Sequence, residues 1–367
     1  MSDRSRRRAV QARLVPEPFL HVGDERIYNP LTHRTISRGD REGAALADVL
    51  SSACRVEGLA DSLRRRLIEE AWLVEDTGDL SRRFLLKYVA LEASTVCNQK
   101  CYFCPVSVEP RDPYSMPIEQ YRDIVRQLAA YRETIQAVFM ISYNEPTADK
   151  RFVDQVRIIR EAGLPAAVNT NATGLTPECA DAIIEMGGLC FLSVNLSTLD
   201  RQRYQDDRGY DHLDLVLRNL DYVKDRPLAP RMDLAVLGTG DDEHGRQFEA
   251  IRERFAGSRF SVLSFVVNDR AGYLGLPLPP ERRRRTLRGC EQTGSRPLQH
   301  LHVTPRAKAI LCCQDYSETT EVGDLNEQSV AEVLGGAALS RMRRWTYGLE
   351  AAPPDYICRS CKFALGE

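Results

Sequence analysis

LLKYVALEASTVCNQKCYFCP, residues 85–105, decides the reading of the fold. Its first nine residues form an apolar run of strand length, and a polar turn bearing three cysteines closes it. Five further short apolar runs follow: AVFMIS (137–142), AAVNTN (166–171), CFLSVNL (190–196), MDLAVLG (232–238) and FSVLSFVV (260–267). Amphipathic stretches of helical period lie between them, among them IEQYRDIVRQLAAY (118–131), RFVDQVRIIREAG (151–163) and PECADAIIEMG (177–187). Gly163 and Gly187 stand where a helix ends in a left-handed residue. Strands alternating with helices of this length predict right-handed βαβ units and a parallel sheet. Six such strands occupy about 185 residues, whereas a complete eight-unit barrel takes about 250. The expected fold is therefore α/β: a partial (β/α)6 TIM-like barrel over residues 83–280, with chemistry at the C-terminal ends of its strands. An open doubly wound sheet is the alternative that strand counting leaves.

Composition bounds the function. The 367 residues carry 50 Lys+Arg against 52 Asp+Glu, a net charge of −2, which argues against a general nucleic-acid binder. No apolar run reaches the ~18–20 residues that span a bilayer, so no membrane role is expected. Residues 1–14 are Arg-rich without an apolar core, which reads as a loose basic tail and not a secretory signal. A cytoplasmic location is expected. Such a chain needs no disulfides to hold its core, yet it has 11 cysteines. In a reducing compartment that number points to metal or cluster ligation.

Cys97, Cys101 and Cys104 follow the first strand with C-x3-C-x2-C spacing. Three thiolates on one loop suit three corners of a [4Fe–4S] cluster and leave one iron open for a small molecule. A structural zinc loop is the alternative, but tetrahedral zinc takes four ligands and no fourth lies nearby. A second group comprises Cys290, Cys312, Cys313, Cys358 and Cys361. Cys358-x2-Cys361 is a ligand pair for zinc or an iron–sulfur cluster, and the long gaps before it do not fit a compact zinc ribbon.

C-x3-C-x-aromatic-C with Phe103 at the aromatic position resembles the signature of the radical S-adenosylmethionine (SAM) superfamily. The resemblance implies a SAM-binding cluster whose open iron chelates the cofactor, reductive cleavage to a 5′-deoxyadenosyl radical, and hydrogen abstraction from a substrate. It extends along the barrel. Ser142-Tyr143-Asn144-Glu145-Pro146 stands where the family often has Gly-Gly-Glu-Pro, which implies that Glu145 accepts from the SAM amino group. Tyr143 and Asn144 replace the two glycines. Asn169-Thr170-Asn171-Ala172-Thr173 is similar to the family's Thr-Asn-Gly-Thr and brings Asn171 to the cofactor. Ser193 and Asn195 alternate onto one strand face, inward in a barrel, and suit ribose or carboxylate contacts. Arg208 precedes Gly209 where similar proteins place an arginine near the SAM carboxylate. Asp269-Arg270-Ala271-Gly272 is another familiar strand ending.

Residues 281–367 resemble the twitch, or abbreviated SPASM, domain of the same superfamily. There a hairpin, here HLHVTPRAKAILCCQD (300–315), and a helix, here SVAEVLGG (329–336), bring four cysteines to one auxiliary cluster. The Cys312-Cys313-Gln314-Asp315 run followed by Val322-Gly323-Asp324-Leu325 is similar to that arrangement. The resemblance implies two [4Fe–4S] clusters in all, with Cys290, Cys312, Cys358 and Cys361 on the auxiliary one. Cys313 is then an alternate ligand, a buried spare thiol or a hydrogen donor to a substrate radical. Cys54, Cys179 and Cys190 read as structural, with Cys190 facing away from the barrel interior, and the run Arg282–Arg285 reads as a solvated helix face.

Residues 15–82 form a smaller unit. Gly23-Asp24 predicts a hairpin turn, and helical periods follow over about 42–53 and 59–70. The unit resembles the winged-helix element by which some radical SAM peptide-maturation enzymes add a leader peptide as an extra strand; a packing cap on the barrel is the alternative. The favoured function is modification of a ribosomally made peptide by crosslinking, thioether formation or epimerisation. A dehydrogenase or epimerase of an aminoglycoside-like intermediate is the second reading, and a non-catalytic iron–sulfur electron carrier the third. A flavodoxin- or ferredoxin-type reductant is the expected electron partner.

Overall fold

The structure, a computed structural model, describes residues 13–276 and 283–367. Most of the basic tail, the Pro277–Pro280 stretch and Arg282 therefore lie outside the described residues. The six predicted strands form in order: β1 (Tyr88–Leu91), β2 (Ala137–Phe139), β3 (Ala166–Thr170), β4 (Phe191–Asn195), β5 (Met232–Gly238) and β6 (Phe260–Val266). They are parallel neighbours in sequence order, as βαβ units require. The helices pack their apolar stripes on the outside of this sheet. Ile118–Leu128, for example, buries Tyr121, Ile124, Val125 and Leu128, the i, i+3, i+4, i+7 set of one face.

The sheet does not stop at the sixth strand. The expected C-terminal hairpin is present as β7 (His300–Val303) and β8 (Lys308–Ile310), followed by β9 (Glu321–Asp324). β7 lies parallel against β1, in the register His300 to Tyr88 and His302 to Ala90. β8 and β9 continue antiparallel, so the sheet has nine strands in the order β6-β5-β4-β3-β2-β1-β7-β8-β9. One main core runs through both regions, from Val89 to Leu334 and Cys361.

The N-terminal unit has its own small core around Ile27, Leu46, Leu67 and Trp72. Its strands His21–Val22, Arg26–Asn29 and Arg34–Ser37 make a three-stranded meander where the sequence predicted a hairpin. Helices Arg41–Leu50 and Asp61–Glu69 follow the predicted positions. Leu14 already belongs to a strand, Leu14–Pro16, paired with Leu73–Glu75, so the tail reading ends earlier than position 14. The unit is tied to the C-terminal region: Phe19 packs on Leu298 and Tyr347, and the Glu17 carboxylate pairs with Arg83. Arg343, fully buried, donates to the carbonyls of Ser81 and Pro297.

Arg283–Arg285 are not helical. Arg284 donates from Nη1 to the Cys361 carbonyl at 2.6 Å and from Nη2 to that of Lys362. Arg284 thus clamps the backbone around a cysteine pair, while Arg283 and Arg285 are exposed, so the described part of the run is largely solvated but not a helix face.

Candidate active site

β1 delivers the chain into the cysteine loop, and a helix end receives it. The N–H groups of Lys100 and Tyr102 donate to the carbonyls of Arg208 and Asp207, at the C-terminus of the helix Arg201–Arg208. Those carbonyls lack intrahelical partners, so the loop satisfies them. Gly209 ends that helix with φ +73°, and a Cβ there would sit 3.1 Å from the Lys100 Cβ; only glycine lets loop and helix approach this closely. Within the loop, backbone amides of Gln99 and Val106 point at the sulfurs of Cys97 and Cys104. Burial still pushes these thiols up, to about 12 and about 11. They ionise when a metal takes the proton's place, the usual coupling at thiolate sites.

All three cysteines face one cavity of about 490 Å³ at the C-terminal ends of the strands. Phe103, Glu145, Asn171, Ser193, Asn195 and Arg208 line the same cavity, so every residue singled out around the cysteine loop is brought together. Arg208 is 1% exposed and has no carboxylate partner among the described residues. Its Nη2 donates to the Asn195 Oδ1 at 2.7 Å and the Ser197 Oγ at 2.9 Å, and its Nη1 approaches the Cys101 Sγ at 3.6 Å. Its guanidinium also lies over the Phe103 ring, 5.1 Å from the centroid. A buried cation held only by neutral groups and a sulfur is a place for an anion.

Glu145 is 2% exposed and held tightly. Oε1 accepts from the Thr147 N–H and from the hydroxyls of Thr147 and Thr170; Oε2 accepts from the Asn171 N–H at 2.7 Å. Burial raises its carboxyl above the ordinary value despite these donors. The Asn171 side chain is also engaged, donating to Asn98 of the cysteine loop and accepting from Thr173. The ends of β2 and β3 are thereby stitched to the cluster loop. Glu92, at the end of β1, takes a two-pronged grip from Arg111 (3.0 and 2.6 Å) and accepts the Tyr143 N–H at 2.8 Å.

The second group of cysteines splits. Cys290, Cys312, Cys358 and Cys361 line one buried pocket, whereas Cys313 lines the main cavity on the other side of the strand end. Burial raises Cys290 and Cys312, and pushes Cys358 up to about 12. Among the described residues no three His, Cys, Asp or Glu side chains converge on one metal ion. Four thiols around one pocket are a ligand set that either a polynuclear cluster or a zinc ion could take.

Several cavity residues were not singled out from sequence. His300 and His302 on β7, Tyr88 on β1, and Arg296 line it, beside Asn169 on β3 and Arg270, which were named only within their strand-end motifs. The period-two spacing of His300 and His302 in HLHV carried the signal, because alternate strand positions share a face. The missing datum was that β7 closes onto β1.

The geometry defines a partial-barrel protein with one thiol centre at the barrel mouth and a second beside it. Residues 91–250 match the Radical SAM superfamily and residues 290–362 match SPASM, an iron-sulfur cluster-binding domain. Residues 91–250 thus carry a Radical SAM domain and residues 290–362 a SPASM domain, and these domains imply SAM and iron–sulfur clusters as cofactors. A probable GTP 3′,8-cyclase of Pyrococcus abyssi is 29% identical over 171 residues, 46% of this chain and 53% of that protein. The chain spans about half the length of this curated relative. Among solved structures, SuiB of Streptococcus suis bound to precursor peptide SuiA superposes with a TM-score of 0.58 at 12% identity, over 96% of this chain and 94% of SuiB. BtrN in complex with AdoMet and 2-DOIA gives 0.50 at 16% identity, over 77% of this chain and 94% of BtrN. At these identities the likeness is one of fold. No helix among the described residues is long and apolar enough to cross a membrane.

Proposed function

We propose that this chain is a radical SAM enzyme that modifies a ribosomally made peptide. The observation that carries the chemistry is the shared cavity: three thiols on one loop beside Arg208, a buried cation without a carboxylate partner. When bound, an iron–sulfur cluster and SAM supply reductive cleavage of a sulfonium S–C bond and a carbon radical that takes a hydrogen atom from substrate. The chain's own residues bind, orient and exclude water. Cys97, Cys101 and Cys104 would hold three irons, and Arg208 would pair with the SAM carboxylate. Ser193 and Asn195 would face the ribose. Glu145 would receive the amino group on the lone pairs of Oε2 left by the Asn171 amide. Phe103, packed under the Arg208 guanidinium, keeps that cation aimed into the cavity. Positioning of this kind is the protein's main contribution when the cofactor carries the hard step.

Cys290, Cys312, Cys358 and Cys361 would hold a second [4Fe–4S] cluster, leaving Cys313 as a thiol of the reaction cavity. Support for a peptide substrate comes from the N-terminal meander-and-helix unit, since the likeness to peptide-bound SuiB runs over nearly the whole chain, that unit included. A small-molecule dehydrogenase or epimerase is the second reading, supported by the likeness in fold to BtrN, and in either reading the place of Cys313 in the cavity suits hydrogen donation to a substrate radical. A flavodoxin- or ferredoxin-type protein in the cytoplasm would supply electrons.

Anaerobic reconstitution, iron counting and an assay for 5′-deoxyadenosine test the core claim. About eight irons per chain are expected for two four-iron clusters. Cys312→Ala should reduce the count to about four, and Cys313→Ala should leave it unchanged. A fully loaded protein that releases no 5′-deoxyadenosine under strong reductant would refute the reading.

A further inference from the structure

Arg296 opens the short helix Arg296–Gln299, directly before β7, and its side chain borders both the reaction cavity and the four-cysteine pocket. Its Nη1 lies 3.0 Å from the His302 Nε2. A guanidinium can only donate, so His302 accepts at Nε2 and carries its proton on Nδ1. That Nδ1 has no partner, and His302 is 3% exposed. His300, stacked parallel to His302 with ring centroids 5.7 Å apart, bonds to the Thr293 backbone and leaves its Nε2 unpartnered. Burial, with the Arg296 charge adding to it, lowers both imidazoles well below their usual range and keeps them neutral. The wall between the two sites thus carries the fixed positive charge of Arg296, whose Nε is unpartnered, and Arg270, half-buried, adds a second charge on the Cys312–Cys313 side.

We propose that Arg296 is a positioning residue that raises the reduction potential of the auxiliary iron–sulfur centre, on the side of that centre which meets the reaction cavity. The inference rests on the reading that Cys290, Cys312, Cys358 and Cys361 hold a cluster. Each electron added to a thiolate-bound cluster adds negative charge, and a buried cation nearby stabilises the reduced state. Hydrogen bonds and charges just outside the ligands are known levers on such potentials. A centre held high in potential accepts electrons from the cavity, so Arg296 would make the auxiliary site a sink for electrons leaving the substrate.

The test needs no substrate. In full-length protein carrying Cys97→Ala, Cys101→Ala and Cys104→Ala, the auxiliary centre is the one remaining cluster. Its reduced fraction can then be followed by electron paramagnetic resonance during a potentiometric titration. Arg296 is compared with Arg296→Lys, Arg296→Gln and Arg296→Met, each with iron counted. At the parental midpoint, both neutral variants should show a reduced-to-oxidised ratio about tenfold lower, a shift of about 59 mV for one electron. Arg296→Lys should stay near the parent. Loss of iron from both neutral variants, with retention in Arg296→Lys, would overturn the potential role in favour of charge-dependent cluster retention. A neutral variant that keeps about four irons and titrates with the parent overturns the proposal. So does iron loss in all three variants, which would make Arg296 structural. Absence of a cluster in the parental triple variant would instead sink the two-cluster reading beneath it.

Discussion

Arg208 and Glu145 illustrate two ways in which burial acts on a charged side chain. Arg208 is held by neutral oxygens and one sulfur, so its charge is available to a ligand. Hydrogen bonds to charged groups contribute about 1.5–3 kcal/mol, and 1.4 kcal/mol is tenfold in affinity. Arg208→Gln should weaken SAM binding to the reconstituted protein by about 10–100-fold, measured by anaerobic calorimetry; unchanged affinity would remove Arg208 from the cofactor site. Glu145 is already paired by four hydrogen bonds, yet burial raises its carboxyl above 4.5. A raised carboxyl binds its proton more tightly folded than unfolded. The stability linked to that proton is complete below the ordinary value and disappears as pH rises through the raised one. Over that window wild type should lose stability relative to Glu145→Gln, and parallel unfolding curves for the two would contradict the assignment.

At the scale of elements, the Glu92–Arg111 pair joins the end of β1 to the loop beyond the cysteines, and through the Tyr143 amide to the loop after β2. The Glu92 side chain is 1% exposed, so removing its partner strands a buried charge. Arg111→Gln should cost about 3–5 kcal/mol in denaturant unfolding. A loss below about 1 kcal/mol would show that water or another donor reaches Glu92. Some strands that sequence made legible are buried on both faces, such as β5, where MDLAVLG is a nearly unbroken apolar run, while β6 was legible from its apolar composition although most of it is exposed. The cysteine loop and the polar strand ends were legible for a different reason, because their spacing is chemical and not periodic. What stayed hidden depends on pairing between distant segments. HLHV reads as one arm of a local hairpin, and nothing in it announces that its other edge belongs to β1. His300, His302 and Arg296 were overlooked with it. In the arginine run the helix was misread and so was Arg284, which finds backbone carbonyls around Cys361, while Arg283 and Arg285 do reach solvent.

For the molecule as a whole, the N-terminal unit and the SPASM region share an interface. Phe19 is fully buried against Leu298 and Tyr347, and Arg343 holds the connecting turn at Ser81. Phe19→Ala should cost about 3–5 kcal/mol and free the first 80 or so residues to proteolysis before the barrel yields. Coincident unfolding with no early cleavage would mean that other contacts carry the interface.

The pairing of β7 with β1 also has a consequence for biogenesis. While the nascent chain leaves the ribosome, one edge of β1 stays bare until a segment roughly two hundred residues later has been synthesised. Contacts so far apart in sequence form late, and bare strand edges invite aggregation meanwhile. Soluble yield should therefore depend on translation speed and chaperone supply before it depends on iron, and growth at low temperature should help most where it slows elongation over residues 140–300.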